Sequence, residues 1–333
     1  MNGQERETSL PRYLKGDDLT EECRALIPSL PLERDWLSTH YHLYQGFWFH
    51  ARYLDGVLWM QRHFTAADSD TLLVTTPKSG TTWLKALLFS LLHRSQLSSL
   101  DHPLLRRNPH DLVPFLEHRL YLESNQSLED PSFMAFPRLL ATHMPFASLP
   151  VSVKDSKCKV VYLCRNPKDT FVSMWSFTNS LRLKDTAMDP SPIDEAFDSF
   201  CRGVSLYGPY WDHVLQYYRA SLELPDRVLF IRYEEMKESP REHLRRLARF
   251  LGCPFSEEEE AGGLVDGILT QCSFESLSKL EVNQRGKSAS GMENRWFFRK
   301  GEVGDWVNYL SPEMIARIDH ITEEKLQGSG LKF

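Results

Sequence analysis

Leu72-Leu-Val-Thr-Thr-Pro-Lys-Ser-Gly-Thr-Thr-Trp83, followed by Leu84-Lys-Ala-Leu-Leu-Phe-Ser-Leu-Leu-His93, reads as an apolar strand, a tight turn and an amphipathic helix. Trp83, Leu84, Leu87, Leu88, Leu91 and Leu92 recur at the spacing of one helical face. A turn of this kind aims several backbone N–H groups and the positive end of a helix dipole at one spot, which suits phosphate-like anions. The stretch predicts a nucleotide held by its phosphates.

The loop is not a Walker A. That motif places Lys directly after its last Gly, whereas Lys78 precedes Gly80 by two residues and Thr75 stands where the first Gly would be. A P-loop kinase also needs a strand ending in Asp to hold Mg²⁺. Here Val160-Val-Tyr-Leu-Cys164 runs into Arg165, and Val228-Leu-Phe-Ile231 runs into Arg232 and Tyr233. Basic and aromatic groups at those ends predict a nucleotide handled without Mg²⁺ and carrying an extra phosphate.

Three segments then come into register with a known family. Thr76-Pro-Lys-Ser-Gly-Thr-Thr-Trp83, Arg165-Asn-Pro-Lys-Asp-Thr-Phe-Val-Ser173 and Arg299-Lys-Gly-Glu-Val-Gly-Asp-Trp306 resemble the cosubstrate-binding segments of the cytosolic sulfotransferases, which use 3′-phosphoadenosine 5′-phosphosulfate (PAPS). The resemblance runs from about Tyr13 to the C-terminus. Tyr44-Gln-Gly-Phe-Trp48, Asn108-Pro-His-Asp-Leu-Val-Pro-Phe115, Phe200-Cys-Arg-Gly203 and Cys272-Ser-Phe-Glu-Ser-Leu277 give it the look of the plant group acting on brassinosteroids, flavonoids and small phenols.

The resemblance implies roles. Lys78 would stabilise the bridging oxygen that leaves the sulfur, and Ser79, Gly80, Thr81 and Thr82 would cradle the 5′-phosphosulfate. Trp83, otherwise an ordinary core aromatic, would stack on adenine. Arg165 and Ser173 lie eight apart across a strand-to-helix turn, so both can reach a ribose 3′-phosphate, with Arg supplying a bidentate fork. Arg299, Lys300 and Gly301 would meet the same anion, although an Arg-Lys pair read alone is a surface charge. Tyr233, Cys272, Ser273, Phe274 and Leu277 would line the base.

Among twelve histidines, His143 stands out. It ends the apolar run Leu139-Leu-Ala-Thr142 and precedes Met144-Pro145, at the carboxyl edge of a sheet where ligands of doubly wound folds bind. It matches the family's Thr-His-x-Pro pattern, which implies a general base. Phe146 and Phe177, just beyond His143 and Ser173, are the candidates for an apolar acceptor pocket.

Strand patterns at 71–75, 139–143, 159–165 and 227–233 alternate with helical patterns at 20–27, 48–64, 82–94, 192–204, 207–221 and 240–251. This predicts an α/β fold: one domain, 21–333, with a central parallel sheet flanked by helices and a P-loop-like phosphosulfate-binding loop, preceded by a mobile segment, 1–20. Residues 282–295 read as a long loop, a lid candidate. Ser256 with Glu259 reads as a capping box, so the acidic run 257–260 is a helix start rather than a binding site.

The 333 residues are 41% apolar, enough for a full core, and the net charge of −6 argues against a general nucleic-acid surface. The first two dozen residues carry no apolar stretch of a secretory signal, and no run approaches a membrane span. Six cysteines without C-x-x-C pairing suit a reducing compartment. The expectation is a cytoplasmic enzyme without metal, membrane or nucleic-acid partner, in which the sequon Asn125-Gln-Ser127 is idle. Val307-Asn-Tyr-Leu-Ser-Pro312 stands where animal relatives carry their K-x-x-x-T-V-x-x-x-E dimer segment, which predicts a monomer. Rival readings are a small-molecule kinase, disfavoured by the missing Walker pattern, and a non-catalytic sensor of adenosine 3′,5′-bisphosphate, disfavoured by the presence of His143 and Lys78. The acceptor stays open among steroid, flavonol, hydroxyjasmonate, salicylate-like phenol and desulfoglucosinolate.

Overall fold

Helix and strand patterns settle into two sheets. The computed structural model describes residues 19–37, 39–95, 101–117, 137–183, 188–288 and 291–333. The mobile segment expected at 1–20 falls outside these except for its last two residues, and the sequon falls outside them too. Leu19 is buried, and the Thr20 hydroxyl caps α1 (Glu21–Leu26) by accepting from the Cys23 N–H at 3.3 Å.

The first sheet is antiparallel: β1 (Leu32–Arg34), β2 (His40–Tyr44) and β3 (Phe47–His50). It corrects the helix expected from residue 48. Gln45 and Gly46 both take positive φ, 51° and 84°, the geometry of a two-residue hairpin turn. That turn pairs Tyr44 with Phe47 and draws the aromatic run into a strand, so α2 (Ala51–His63) starts three residues late.

The main sheet holds β4 (Thr71–Thr75), β5 (Leu139–Thr142), β6 (Lys159–Cys164) and β7 (Val228–Arg232), all parallel, in the order β5-β4-β6-β7. Successive residues serve opposite faces, as strand geometry requires. Leu72, Val74, Val160, Tyr162 and Cys164 enter one core, while Leu73, Val161 and Leu163 enter the other. Both faces are covered, which accounts for the unbroken apolar runs. On the second face lie α3 (Thr81–His93), α8 (Pro240–Phe250) and α9 (Leu264–Gln271). On the first lie α5 (Pro167–Leu181), α6 (Ile193–Cys201), α7 (Tyr210–Glu223) and the C-terminal α11 (Pro312–Leu326). Two shorter pieces matter for the site, α4 (Pro109–Leu112) and α10 (Phe274–Lys279).

The strand order fixes where a ligand can sit. From β4 the chain moves out to β5, and from β6 it moves the other way to β7. The adjacent ends of β4 and β6 therefore open into a crevice, the switch point at which parallel sheets bind ligands. Their following helices, α3 and α5, pack on opposite faces.

The long loop expected at 282–295 needs correction. Glu281–Arg285 is helical and Asn294–Phe297 forms a 3₁₀ turn. Asn283 holds the first, receiving a hydrogen bond from Asn108 at 2.8 Å and donating to the Leu277 carbonyl at 2.8 Å. The capping box at Ser256 and Glu259 is present and starts a short helix, Glu257–Ala261.

Candidate active site

A cavity of about 940 Å³ opens at the switch point. Its floor is the turn after β4. Lys78 takes a positive φ of 67°, and Gly80 one of 105°. A Cβ at Gly80 would lie 2.7 Å from the Tyr233 ring, so only glycine fits. Gly80 is also the N-cap of α3 and brings no side-chain cap, leaving the N–H groups of the first turn to the cavity. Ser79 is fully buried; its hydroxyl lies 2.5 Å from that of Thr76 and braces the turn from behind.

Cations converge on this floor. Lys78 Nζ lies 4.0 Å from the centre of the Phe177 ring, and among the described residues no carboxylate pairs with it. Burial, then Arg299 and Arg165, push its ammonium down to about 7. Arg165 extends from the end of β6 over the Tyr233 ring, donating through Nη2 to the Glu302 carbonyl at 2.5 Å. The buried Nε atoms of Arg165 and Arg299 have no hydrogen-bond partner. Arg165 lies 3.7 Å from Asp169 and Arg299 is paired with Asp305, but Lys78 has no carboxylate partner among the described residues and two guanidinium Nε donors are left over, an arrangement suited to a further anion.

The segment 299–306 is anchored from below. Asp169 on α5 accepts from the N–H groups of Gly304 and Trp306, at 2.8 and 3.2 Å. Asp305 binds Arg299 and accepts from Lys300 at 2.6 Å. Burial would raise its pKa, but the hydrogen bonds from Lys300, Arg299 and Asn308 outweigh it and hold the carboxyl at about 2. Gly301, at φ 68°, passes so close to Phe274 that a Cβ would approach its ring to 2.6 Å, and its carbonyl accepts from the Tyr233 hydroxyl at 2.9 Å.

Trp83, Thr81, Thr82, Ser173, Cys272, Ser273, Phe274 and Leu277 all line the same cavity. Trp83 stands edge-on to Tyr233 at 5.6 Å. Ser273 uses its hydroxyl to cap α10, accepting from Ser276 at 3.1 Å. The Cys272 thiol, pushed up to about 12 by burial, is a neutral wall group beside Ser90.

His143 closes the crevice from the end of β5. Its Nδ1 is 2.7 Å from the Thr75 carbonyl, which can only accept, so the neutral ring carries its proton on Nδ1 and its lone pair on Nε2. Its backbone is clamped as well: the N–H donates to Glu117 at 2.7 Å, and the carbonyl accepts from His213 Nε2 at 2.9 Å. Burial raises Glu117 above the usual carboxylate range and pushes His213 down to about 4. The rings of Phe115 and Tyr207 flank the imidazole at 4.5 and 5.4 Å.

Of the two acceptor-pocket candidates, Phe177 lines the cavity and Phe146 does not. After Pro145 the chain turns into a 3₁₀ segment, Phe146–Ser148, which carries the ring into the main core, edge-on to Tyr217 at 5.4 Å. Phe115 and Tyr207 form the wall beside His143, and Tyr53, Leu181, Met292 and Phe297 line the same cavity. Sequence reading missed these residues, along with Glu117, His110, Asp169 and His213. The stretch from Asn108 to Phe115, one of those that give the chain its plant-group look, supplies two of them.

Among the described residues no group of three His, Cys, Asp or Glu side chains is arranged to hold a metal ion, and no helix is long and apolar enough to cross a membrane.

Comparison with known proteins gives the same picture. The sulfotransferase domain model matches residues 68–330. Cytosolic sulfotransferase 12 of Arabidopsis thaliana is 52% identical over 329 residues, covering 98% of this chain and 98% of that protein. A crystal structure of an Arabidopsis thaliana protein, described there as a provisionally assigned steroid sulphotransferase, superposes with a TM-score of 0.74 at 45% identity, covering 98% of this chain and all of that one. A mouse sulfotransferase complexed with PAP superposes with a TM-score of 0.65 at 27% identity, covering 87% of this chain and 95% of that one. With the family model spanning most of its length and half its residues shared with a full-length relative, this chain belongs to the sulfotransferase domain family and is an enzyme of that class.

Proposed function

We propose that the enzyme transfers the sulfuryl group of PAPS to a hydroxyl of a small apolar acceptor, with a steroid of brassinosteroid type or a flavonoid as the favoured class. The observation that carries the cosubstrate is the cluster of Lys78, Arg165 and Arg299 around one cavity, with two guanidinium Nε donors unpartnered. These residues fit a nucleotide with phosphate at both ends. The first turn of α3, with Lys78, Thr81 and Thr82, would hold the 5′-phosphosulfate; Arg165, Ser173, Arg299, Lys300 and Gly301 would hold the 3′-phosphate; Trp83, Tyr233, Phe274 and Leu277 would enclose adenine. PAPS supplies an activated sulfuryl group, and the chain's own residues do the rest.

His143 acts as general base. Its Nε2 lone pair receives the acceptor hydroxyl's proton while that oxygen attacks sulfur, and the Thr75 carbonyl stabilises the resulting imidazolium through Nδ1–H. Lys78 faces the negative charge that grows on the bridging oxygen as its bond to sulfur breaks, in a site where desolvation strengthens the interaction. The aromatic wall of Phe115, Phe177, Tyr207 and Phe297 favours a flat, largely apolar acceptor. Hydroxyjasmonate and desulfoglucosinolate are the runner-up acceptors. The enzyme works as a monomer, and the cytosol is its proposed location, in keeping with the names of its plant relatives.

The test is PAPS-dependent sulfation of a panel of these scaffolds, read as a mass gain, with His143→Ala alongside. A product from one scaffold at low micromolar acceptor, reduced about 10²–10⁴-fold in the variant, is the expected result. Binding of adenosine 3′,5′-bisphosphate without product from any scaffold would favour the sensor reading.

A further inference from the structure

One buried lysine takes no part in the mechanism above. Lys85 lies one turn into α3 with no surface exposed, and it does not reach the cavity. Its Nζ is 3.2 Å from Nδ1 of His110 on α4. On the other side of that ring, Nε2 of His110 is 2.9 Å from the Thr82 hydroxyl. Nζ also sits 3.4 Å from the centre of the Phe115 ring, a cation–π position, and Phe115 packs against both His110 and His143. Desolvation pushes Lys85 well below the ordinary lysine range, and Glu117 and Asp111 oppose that effect only in part.

The direction of each hydrogen bond follows from the charge state of Lys85. An ammonium has three donors and no acceptor. With Lys85 charged, the form that the Phe115 face, Glu117 and Asp111 favour, it donates to Nδ1 of His110, which then carries its lone pair there and its hydrogen on Nε2. That N–H donates to the Thr82 oxygen. The hydroxyl hydrogen of Thr82 is then committed to some other acceptor, and among the described residues the Thr82 side chain has no second partner. Thr82 lines the cavity in the uncapped first turn of α3, beside the turn carrying Lys78.

We propose that Lys85 and His110 are positioning residues, forming a one-way hydrogen-bond relay that locks the Thr82 hydroxyl as a donor to the group being transferred. With the opposite tautomer, Nε2 would accept from Thr82 and the hydroxyl would turn its lone pairs to the anion. The relay thus converts an ambivalent hydroxyl into a fixed donor before the ligand arrives, which is the preorganisation that electrostatic catalysis uses. The proposal rests on the sulfotransferase reading for its consequence in catalysis, but not for its geometry.

Two measurements test it. Nitrogen-15 spectra of histidine-labelled protein, taken without ligand, report the tautomer directly. The expected signature is protonated Nε2 and acceptor Nδ1 at His110, lost or mixed in Lys85→Met. A wild-type ring protonated on Nδ1 overturns the relay whatever the reaction is. The second measurement is a kinetic cycle at saturating PAPS with any accepted hydroxyl. His110→Phe keeps the ring packing but removes the relay, and it should lower kcat about 10- to 100-fold, the worth of one hydrogen bond to a charged group. Affinity for adenosine 3′,5′-bisphosphate, which lacks the sulfuryl group, should stay within about twofold. Adding Thr82→Val to His110→Phe should cost nothing beyond Thr82→Val alone. His110→Gln, whose carbonyl can accept from Lys85 and whose amide can donate to Thr82, should recover most of kcat. Additive losses in the double variant, or no recovery in a folded His110→Gln, would reduce His110 to packing. Should Lys85→Met not fold, the wild-type spectrum and the His110 pair still decide.

Discussion

Binding of adenosine 3′,5′-bisphosphate at pH 8 should draw nearly one proton from solution, and that proton should land on Lys78. The free enzyme holds Lys78 at about 7 because its ammonium is desolvated and faces Arg299 and Arg165. At pH 8 only about a tenth of it is then charged. A phosphate placed among these cations reverses the sign of the local field and raises the lysine towards its ordinary value. Uptake of about 0.9 proton follows. The sign is fixed: the charged form is favoured when bound, so Lys78 leaves affinity unchanged below about pH 7 and lowers it above, by up to tenfold per unit, until the bound-state pKa is reached.

The assay is titration calorimetry in two buffers of different ionisation enthalpy, where the slope of observed heat against buffer enthalpy counts protons. Neither the guanidinium groups nor the nucleotide contributes at this pH. Arginine does not titrate, and a phosphate monoester's second ionisation, near 6, is already complete. Lys78→Met isolates the effect, since it should bind more weakly and take up no proton. A zero slope in the wild type, or an undiminished slope in Lys78→Met, would refute the argument that burial, Arg299 and Arg165 hold the Lys78 ammonium down for want of an anion.

Three further outcomes are expected. Gly80→Ala must place a Cβ against Tyr233 at a backbone angle alanine avoids, so it should lose about 1–3 kcal/mol of stability and most nucleotide affinity, read by thermal melts and calorimetry. Arg165→Ala should erase about 10- to 100-fold of the preference for adenosine 3′,5′-bisphosphate over adenosine 5′-phosphate, because only the first offers a 3′-phosphate; an unchanged ratio would place that phosphate elsewhere. Light scattering at micromolar protein should return the mass of one chain, and a dimer mass would show that assembly does not need the animal segment.

The parts legible in the sequence were those whose chemistry is local. The strand, turn and helix around Lys78 carry their own periodicity and a glycine that the turn needs. The capping box at Ser256 and Glu259 is likewise complete within four residues. The first sheet was hidden because Phe47, Trp48 and Phe49 suit a buried helix face and a strand equally well; the positive φ angles at Gln45 and Gly46 decided it. Phe146 misled because neighbourhood in sequence stood in for direction. The wall of the acceptor side comes from five separate segments, and no spacing rule joins Tyr53 to Tyr207 or Phe297. Glu117 was illegible for another reason, since a lone Glu shows its meaning only when the His143 N–H is found at its oxygen.

One residue makes the site a single device. Thr75, the last residue of β4, gives its carbonyl to Nδ1 of His143, while its hydroxyl lies 2.7 Å from that of Thr81 at the start of α3. The donor side and the base side therefore share a fulcrum in the most buried strand of the sheet. β4 lies between β5, which carries His143, and β6, which carries Arg165, so parallel pairing in register sets all three strand ends at one level. A shift in the β4–β5 register would separate His143 from Thr75 and misaim the base without touching a single anion contact. The same argument explains why the polar groups behind His143 are buried and costly: Glu117 and His213 fix its backbone from both sides, so the imidazole can turn only about its own side-chain bonds. Rigid placement at a strand end, rather than a mobile loop, gives the proton acceptor and the leaving-group cation a fixed relation before any acceptor enters.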